Sequence, residues 1–368
     1  MKKILSLAKN VAAINFGEIA LPFRITYIIT SRCQLKCSMC SIWKKPLADE
    51  LRLDEIERFF SQAHQFSWVN LSGGEIFLRN DLLAIITTIA AHCKNLYLLD
   101  FPTNGFASDT IVSRIKEIIA IKALPKIFVT VSIDGPQETH DAIRGVTGSW
   151  EKAVATFERL RALRSRRFQV FFGFTLQPSN MKLFDATFEA INKKIGGLRH
   201  NDFHINVVQH SSHYYCNDTV LKQKEDRALW QALHRIMQLR KTSLLNPVAF
   251  LEQRYQALAQ RYLATHRSPL SCQALCSSCF MDPCGTVYPC SIYNQSIGNI
   301  RDFDYNLGKL WKAECRIRIR KEIKQGVCPH CWTPCEAYQT ILGNLFKHKK
   351  CERSFSPIKH EQSRISEN

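Results

Sequence analysis

No apolar run in this 368-residue chain approaches the ~20 residues that span a bilayer, so no transmembrane helix is expected. Nothing at the N-terminus reads as a secretion signal either. Lys9 and Asn10 interrupt the apolar stretch, and no small-residue cleavage site follows. Internal repeats and long low-complexity stretches are missing, which sets aside a repeat array. Acidic residues are few: 32 Asp and Glu stand against 50 Lys and Arg, a net charge of +18. That balance attracts nucleic acid, an acidic peptide or an anionic membrane face. The aromatic–basic interleaving of a base-stacking surface is absent, so a nucleic-acid partner is not favoured. Without a secretion signal, the 15 cysteines are expected as metal ligands or free thiols in a reducing cytoplasm, not as disulfides.

What is present is ordinary globular composition, 45% apolar and 22% charged, long enough for two domains. Ile4, Leu7, Ala8, Val11 and Ile14 fall at helical spacing, with Gly17 as a C-cap. This predicts a short amphipathic N-terminal helix over 1–21, packed on the rest. A membrane-surface helix is the alternative, given Lys2, Lys3 and Lys9. From residue 22, strand-like and helix-like stretches alternate. Strands are expected at 23–30, 68–71, 95–99, 126–133, 169–175 and 202–208, with helices between them, for example at 54–65, 81–93, 108–121, 149–164 and 182–194. Six βα units are too few for an eight-stranded barrel. They predict an α/β fold with an open, partial (β/α)6 barrel over 22–215, its mouth at the strand C-terminal ends. A helical linker over 216–270 follows, then a small cysteine-rich α+β domain over 271–352 and a basic flexible tail over 353–368. Ten of the fifteen cysteines lie from Cys272 to Cys351.

The chemistry is carried first by Cys33, Cys37 and Cys40, spaced C-x3-C-x2-C after the first strand. Three thiolates on one loop hold three irons of a cubane cluster, and one iron is left open for a small molecule. A zinc knuckle would show paired C-x2-C units nearby. Ser72-Gly-Gly-Glu75 follows the second strand, where Glu75 can accept from an ammonium group. Thr103-Asn-Gly105 ends the third strand. Ser132-Ile-Asp-Gly-Pro136 ends the fourth, followed by His140, Asp141 and Arg144. A helix-start cap and a surface ion pair are the plain alternative for those last three.

With these motifs the chain resembles the radical S-adenosylmethionine (SAM) enzymes, and the resemblance covers roughly residues 22–215. It implies a [4Fe–4S] cluster on Cys33, Cys37 and Cys40, whose open iron SAM chelates. It implies SAM-binding roles for Gly73, Gly74, Glu75, Asn104, Ser132 and Asp134, with Gln177 and Asn180 as weaker candidates. Met39 stands where the family commonly places a bulky or aromatic residue against the adenine. No residue is singled out as catalytic.

The Ser132–Gly145 stretch is similar to that of family members with a SPASM or twitch C-terminal domain. Gly285-Thr-Val-Tyr-Pro-Cys290 and Cys328-Pro-His-Cys331-Trp-Thr-Pro-Cys335 resemble that domain's hairpin and C-x2-C pieces. The ligand set so implied for an auxiliary [4Fe–4S] cluster is Cys276, Cys290, Cys328 and Cys331. Cys335 either replaces one of them or joins Cys272, Cys279, Cys284 or Cys351 in a second cluster. The late spacing here is C-x2-C-x3-C, where the two-cluster pattern has C-x2-C-x5-C-x3-C, so one auxiliary cluster is favoured. A zinc site from the same thiols is the alternative.

The resemblance implies reductive cleavage of SAM to a 5′-deoxyadenosyl radical that abstracts hydrogen from substrate. A peptide side chain is the first choice of substrate. A nucleotide, sugar or other small molecule comes second. An electron donor of the flavodoxin or ferredoxin type is implied as a partner. From another class, a non-catalytic iron–sulfur RNA-binding protein would exploit the charge, but the cysteine and Glu75 constellation argues against it.

Overall fold

Alternating apolar and polar positions set the strands, and the computed structural model describes residues 2–46, 49–218, 226–240 and 246–346. Helix α1 spans Lys2–Phe16. The barrel follows as β1 (Arg24–Thr30), α2 (Leu53–Gln62), β2 (Trp68–Gly73), α3 (Leu82–His92), β3 (Leu98–Thr103), α4 (Ser108–Ala120), β4 (Lys126–Ser132), α5 (Gln137–Arg144), α6 (Ser149–Arg161), β5 (Phe168–Leu176), α7 (Phe184–Ile195) and β6 (Phe203–Val207). After it come α8 (Asp226–Gln238), α9 (Pro247–Thr265), β7 (Ser278–Met281), β8 (Thr286–Tyr288), β9 (Gly298–Asn299), α10 (Leu307–Trp311), α11 (Glu314–Gln325) and α12 (Pro334–Leu342).

Strands β1 to β6 lie side by side in chain order, all parallel, as right-handed βα crossovers require. In β4, Ile127, Val129 and Val131 are buried, whereas Lys126, Phe128, Thr130 and Ser132 are partly exposed. The first set packs in the main apolar cluster and the second points to the opposite face of the sheet. The third strand starts three residues and ends four residues later than its sequence pattern predicts, running through Pro102. Pairing of β3 with β2 ends at Asp100, so Pro102 meets only β4 and its missing N–H falls where the sheet has opened.

The cysteine-rich region does not build a sheet of its own. Strand β7 pairs parallel with β1, from Arg24 with Ser278 to Tyr27 with Met281, and β8 and β9 continue the sheet antiparallel. One apolar cluster accordingly runs from Ile25 in β1 to Ile341 in α12. Helix α9, capped by Asn246 with Pro247 at its first turn, treats the free edge of β6. Glu252 accepts from the Ile205 N–H at 2.9 Å and from the Tyr338 hydroxyl at 2.6 Å. That carboxylate ties α9, α12 and the edge strand together. Residues 353–368, and Cys351 before them, lie outside the described residues.

Candidate active site

The loop after β1 carries Cys33, Cys37 and Cys40 and is pinned on three sides. At its start, the Gly74 N–H donates to the Thr30 carbonyl (2.9 Å) and the Glu75 N–H to the Arg32 carbonyl (2.8 Å). In its middle, the Lys36 and Ser38 N–H groups donate to the carbonyls of Arg144 and Ile143 at the end of α5. At its end, the Ser41 N–H donates to the Tyr215 carbonyl (2.7 Å), and the Asn217 amide donates to the Met39 carbonyl (3.0 Å). A Cβ on Gly74 would stand 2.2 Å from the Arg32 carbonyl oxygen, and one on Gly73 would stand 2.5 Å from that of Thr30. The two glycines are therefore needed by the cysteine loop's own backbone, a different reason from the close ligand approach that their sequence context implies.

All three thiols are free and partly buried. Burial pushes Cys33 up to about 11 and Cys40 up to about 12, so as free thiols they are protonated at neutral pH. A bound metal would have to displace those protons. Three soft donors on one rigid loop suit a [4Fe–4S] cluster.

Around the loop stand groups of opposite charge. Glu75 is buried, and burial pushes its carboxyl up to about 7. It accepts from the Asn104 N–H (2.7 Å), the Thr103 hydroxyl (3.1 Å) and the Phe77 N–H (3.3 Å). Three donors aim it, and among the described residues no cation stands in salt-bridge range, an environment that suits a ligand ammonium. Asn104 points its amide toward Cys33, with Nδ2 4.0 Å from the sulfur. Ser132, half-buried at the end of β4, pairs with Gly173.

Asp134, expected as a SAM-binding residue, is fully buried. It forms an ion pair of 2.5 Å with Arg144 and accepts from the Thr175 N–H at 2.9 Å. Arg144 in turn reaches the Cys37 sulfur at 3.7 Å. Asp134 thus positions a guanidinium beside the cysteine loop. Sequence reasoning left Arg144 open as a surface ion pair; its place at the end of α5, against Gly145 and Lys36, is a three-dimensional fact. Gly145 sits at φ +68°, and a Cβ there would meet the Lys36 carbonyl at 2.5 Å. Asp141 caps α6 through the Gly148 and Trp150 N–H groups and the Ser149 hydroxyl. His140 is fully buried and accepts from the Asp134 N–H at Nδ1. Both are structural. So is Asn180, which donates to the Asp134 and Thr175 carbonyls and accepts from the Gln177 N–H.

A second group of thiols gathers behind the hairpin. Cys290 and Cys331 influence each other electrostatically, as do Cys272 with Cys290 and Cys328, and Cys335 with Cys290. Cys331 and burial together push the Cys290 thiol up, and burial does the same to Cys272 and Cys335. The Tyr293 N–H donates to the Cys290 sulfur (3.3 Å) and the Ala274 N–H to that of Cys272 (3.4 Å). Such N–H···S contacts are the kind that tune cluster ligands. Cys276 is not brought to this group. The Cys276 and Ser277 N–H groups both donate to the Gln273 carbonyl, and this turn sends the Cys276 side chain into a small cluster with Ile14 and Phe23 under α1. Cys272, one turn earlier, stands where the sequence pattern implies Cys276. Among the described residues, no group of three or more His, Cys, Asp or Glu side chains already has the geometry to hold a metal ion.

The segment 209–217 links the two thiol groups. Tyr214 shares a hydrogen bond of 3.0 Å with Ser72 and packs with Cys33 and Cys40, while His213 contacts the Cys290 carbonyl at 3.1 Å.

Residues 27–191 match the family model of the Radical SAM superfamily. The chain carries a radical SAM domain over those residues. The radical SAM fold binds a [4Fe–4S] cluster and S-adenosylmethionine, and the cysteine-rich C-terminal region suits auxiliary clusters. The AdoMet-dependent heme synthase of Methanosarcina barkeri is 27% identical over 84% of this chain and 88% of that protein. The sporulation killing factor maturation protein of Bacillus subtilis is 27% identical over 38% of this chain and 33% of its own length. Among solved structures, Streptococcus suis SuiB bound to its precursor peptide superposes with a TM-score of 0.57 at 15% identity, over 87% of this chain and 70% of that one. This last likeness speaks to the fold. This radical SAM chain is an enzyme, and no helix among its described residues is long and apolar enough to cross a membrane.

Proposed function

We propose that this radical SAM enzyme modifies a peptide side chain, with Cys33, Cys37 and Cys40 as ligands of the SAM-binding cluster. The observation that carries the reading is the convergence of those thiols with two buried, oppositely charged groups, Glu75 and Arg144. SAM's amino acid end carries an ammonium and a carboxylate. Glu75 would take the first and Arg144, steadied by Asp134, the second. Ser72, Asn104 and Ser132 would complete the mouth. When bound, cluster and SAM supply a 5′-deoxyadenosyl radical that takes a hydrogen atom from substrate. The protein's part is to hold SAM in one pose and to keep water out, which the buried Glu75 and Tyr214 serve.

The C-terminal thiols would hold one auxiliary [4Fe–4S] cluster through Cys272, Cys290, Cys328 and Cys331, with Cys335 as the nearby fifth. The peptide reading draws on the Ser132–Gly145 stretch and on the peptide-maturing relative. A flavodoxin- or ferredoxin-type donor fits the basic balance of the chain.

A second reading has its own support. The heme synthase aligns over most of both chains, the peptide-maturation protein over about a third of each. A macrocyclic small molecule is then the substrate. Anaerobic incubation with a candidate precursor peptide or with an iron porphyrin carrying propionate side chains decides between them. The peptide reading expects a mass change on the peptide and none on the porphyrin. The converse result overturns it.

A further inference from the structure

Helix α1 has two apolar faces, and only one is used. Its inner side packs Leu7, Val11 and Ile14 against Phe23 and Cys276. Asn15 ties its end to α12 through the Leu342 carbonyl at 2.7 Å, and Asn10 donates to the Ser67 hydroxyl. Its outer side is exposed along Ile4, Leu5, Ala8, Ala12, Ala13 and Phe16. Ile4 is 47% exposed, Leu5 52% and Phe16 81%. A solvated helix face ordinarily carries charged side chains. Here the only charges on that side are Lys2 and Lys9, and α1 contains no acidic residue. Phe346 extends the patch: it stacks on Phe16 at 5.9 Å between ring centroids and is 67% exposed. In the sequence Phe346 is followed by Lys347, His348, Lys349 and Lys350.

We propose that the outer face of α1, with Phe346, docks on an anionic membrane surface. An exposed row of Ile, Leu and Phe with only lysines beside it on the helix, Glu18 beyond its end being paired with Arg320 and Lys324, and with further basic residues following Phe346 in the sequence, matches an interface of acyl chains under negative headgroups. A second copy of the chain fits less well, because an isologous pairing of this face would add no acidic residue to meet Lys2 and Lys9. The helix lies on the surface and does not span it. At 15 residues it is too short to cross, and its inner face is already covered by the protein. This is independent of the substrate and of the clusters.

The test is co-sedimentation of the full chain with vesicles of phosphatidylcholine, with and without about one-third phosphatidylserine. The wild type is expected to bind the anionic vesicles and to leave the neutral ones. The double variant L5E/F16E, which alters two exposed side chains, is expected to lose anionic binding while keeping the wild-type melting temperature. The charge-reversing K2E/K9E is expected to weaken it at least about tenfold, since each lysine near such a surface is worth about fivefold. The proposal is overturned if the wild type does not bind, if it binds both vesicles equally, or if L5E/F16E binds like wild type. A concentration-dependent dimer that L5E/F16E dissolves, without vesicle binding, would assign the face to a second copy instead.

Discussion

Gly74 and Glu75 are neighbours with different duties. Gly74 has no room for a side chain because the Arg32 carbonyl occupies the space. Gly74→Ala is therefore expected to displace the cysteine loop. Iron bound at that loop should fall by half or more after reconstitution, while C-terminal iron stays. Glu75→Gln leaves the packing intact and removes the charge. It should keep full iron content and raise the KM or Kd for SAM at least about tenfold, the size of a lost charge-assisted bond. A Glu75→Gln protein that binds SAM like wild type would dismiss the carboxylate as an ammonium partner. Glu75 was legible as a candidate because its motif is contiguous in sequence. Arg144 was left between a site residue and a surface ion pair, because what sets it beside the loop is Cys37, more than a hundred positions away, and Asp134, whose burial no local pattern announces.

Elements decide which cysteines meet. The turn before β7 puts Cys272 and Cys276 on different sides, and a spacing pattern alone cannot see that rotation. In a background where Cys33, Cys37 and Cys40 are alanine, Cys272→Ser is expected to lose most of the remaining iron, about four atoms per chain for one cubane cluster. Cys276→Ser is expected to keep it; iron analysis reads both. The element-scale surprise in the barrel is β7. Its apolar, β-branched-poor sequence reads as part of a separate domain, yet its backbone pairs with β1.

The same join is clamped on the outside by Glu55 of α2, which accepts from Arg301 (2.7 Å) and from the Tyr305 hydroxyl (2.8 Å). The Arg301 bond holds the Glu55 carboxyl down to about 2, below its ordinary 4.5. A lowered carboxyl stabilises the fold above the unfolded value and loses that contribution as pH falls from 4.5 toward 2. Acid unfolding should therefore be steeper over this range in wild type than in Glu55→Gln. At neutral pH the variant should be less stable by about 2 kcal/mol.

At the scale of the whole molecule, the parallel order of six strands was readable from the alternation of patterns, and it places the motifs that follow β1 to β4 at the C-terminal end of the sheet. What was not readable is how the gap beyond β6 is treated. Helices α9 and α12 meet there through Glu252 and Tyr338, and α12 brings Cys335 to Arg24 in β1 through its carbonyl. Long-range polar contacts of this kind leave no periodic trace in a sequence. They make the cysteine-rich region part of the barrel's enclosure, and the 209–217 segment touches both thiol groups.

The account rests on the cysteine loop working with SAM, and one measurement reaches it directly. The reconstituted protein is reduced under anaerobic conditions with SAM, and 5′-deoxyadenosine is quantified by mass spectrometry. Wild type is expected to form it. The variant with Cys33, Cys37 and Cys40 changed to alanine is expected to form none while still carrying about four irons. Wild type with full iron that yields no 5′-deoxyadenosine, or a triple variant that yields as much as wild type, would contradict the account.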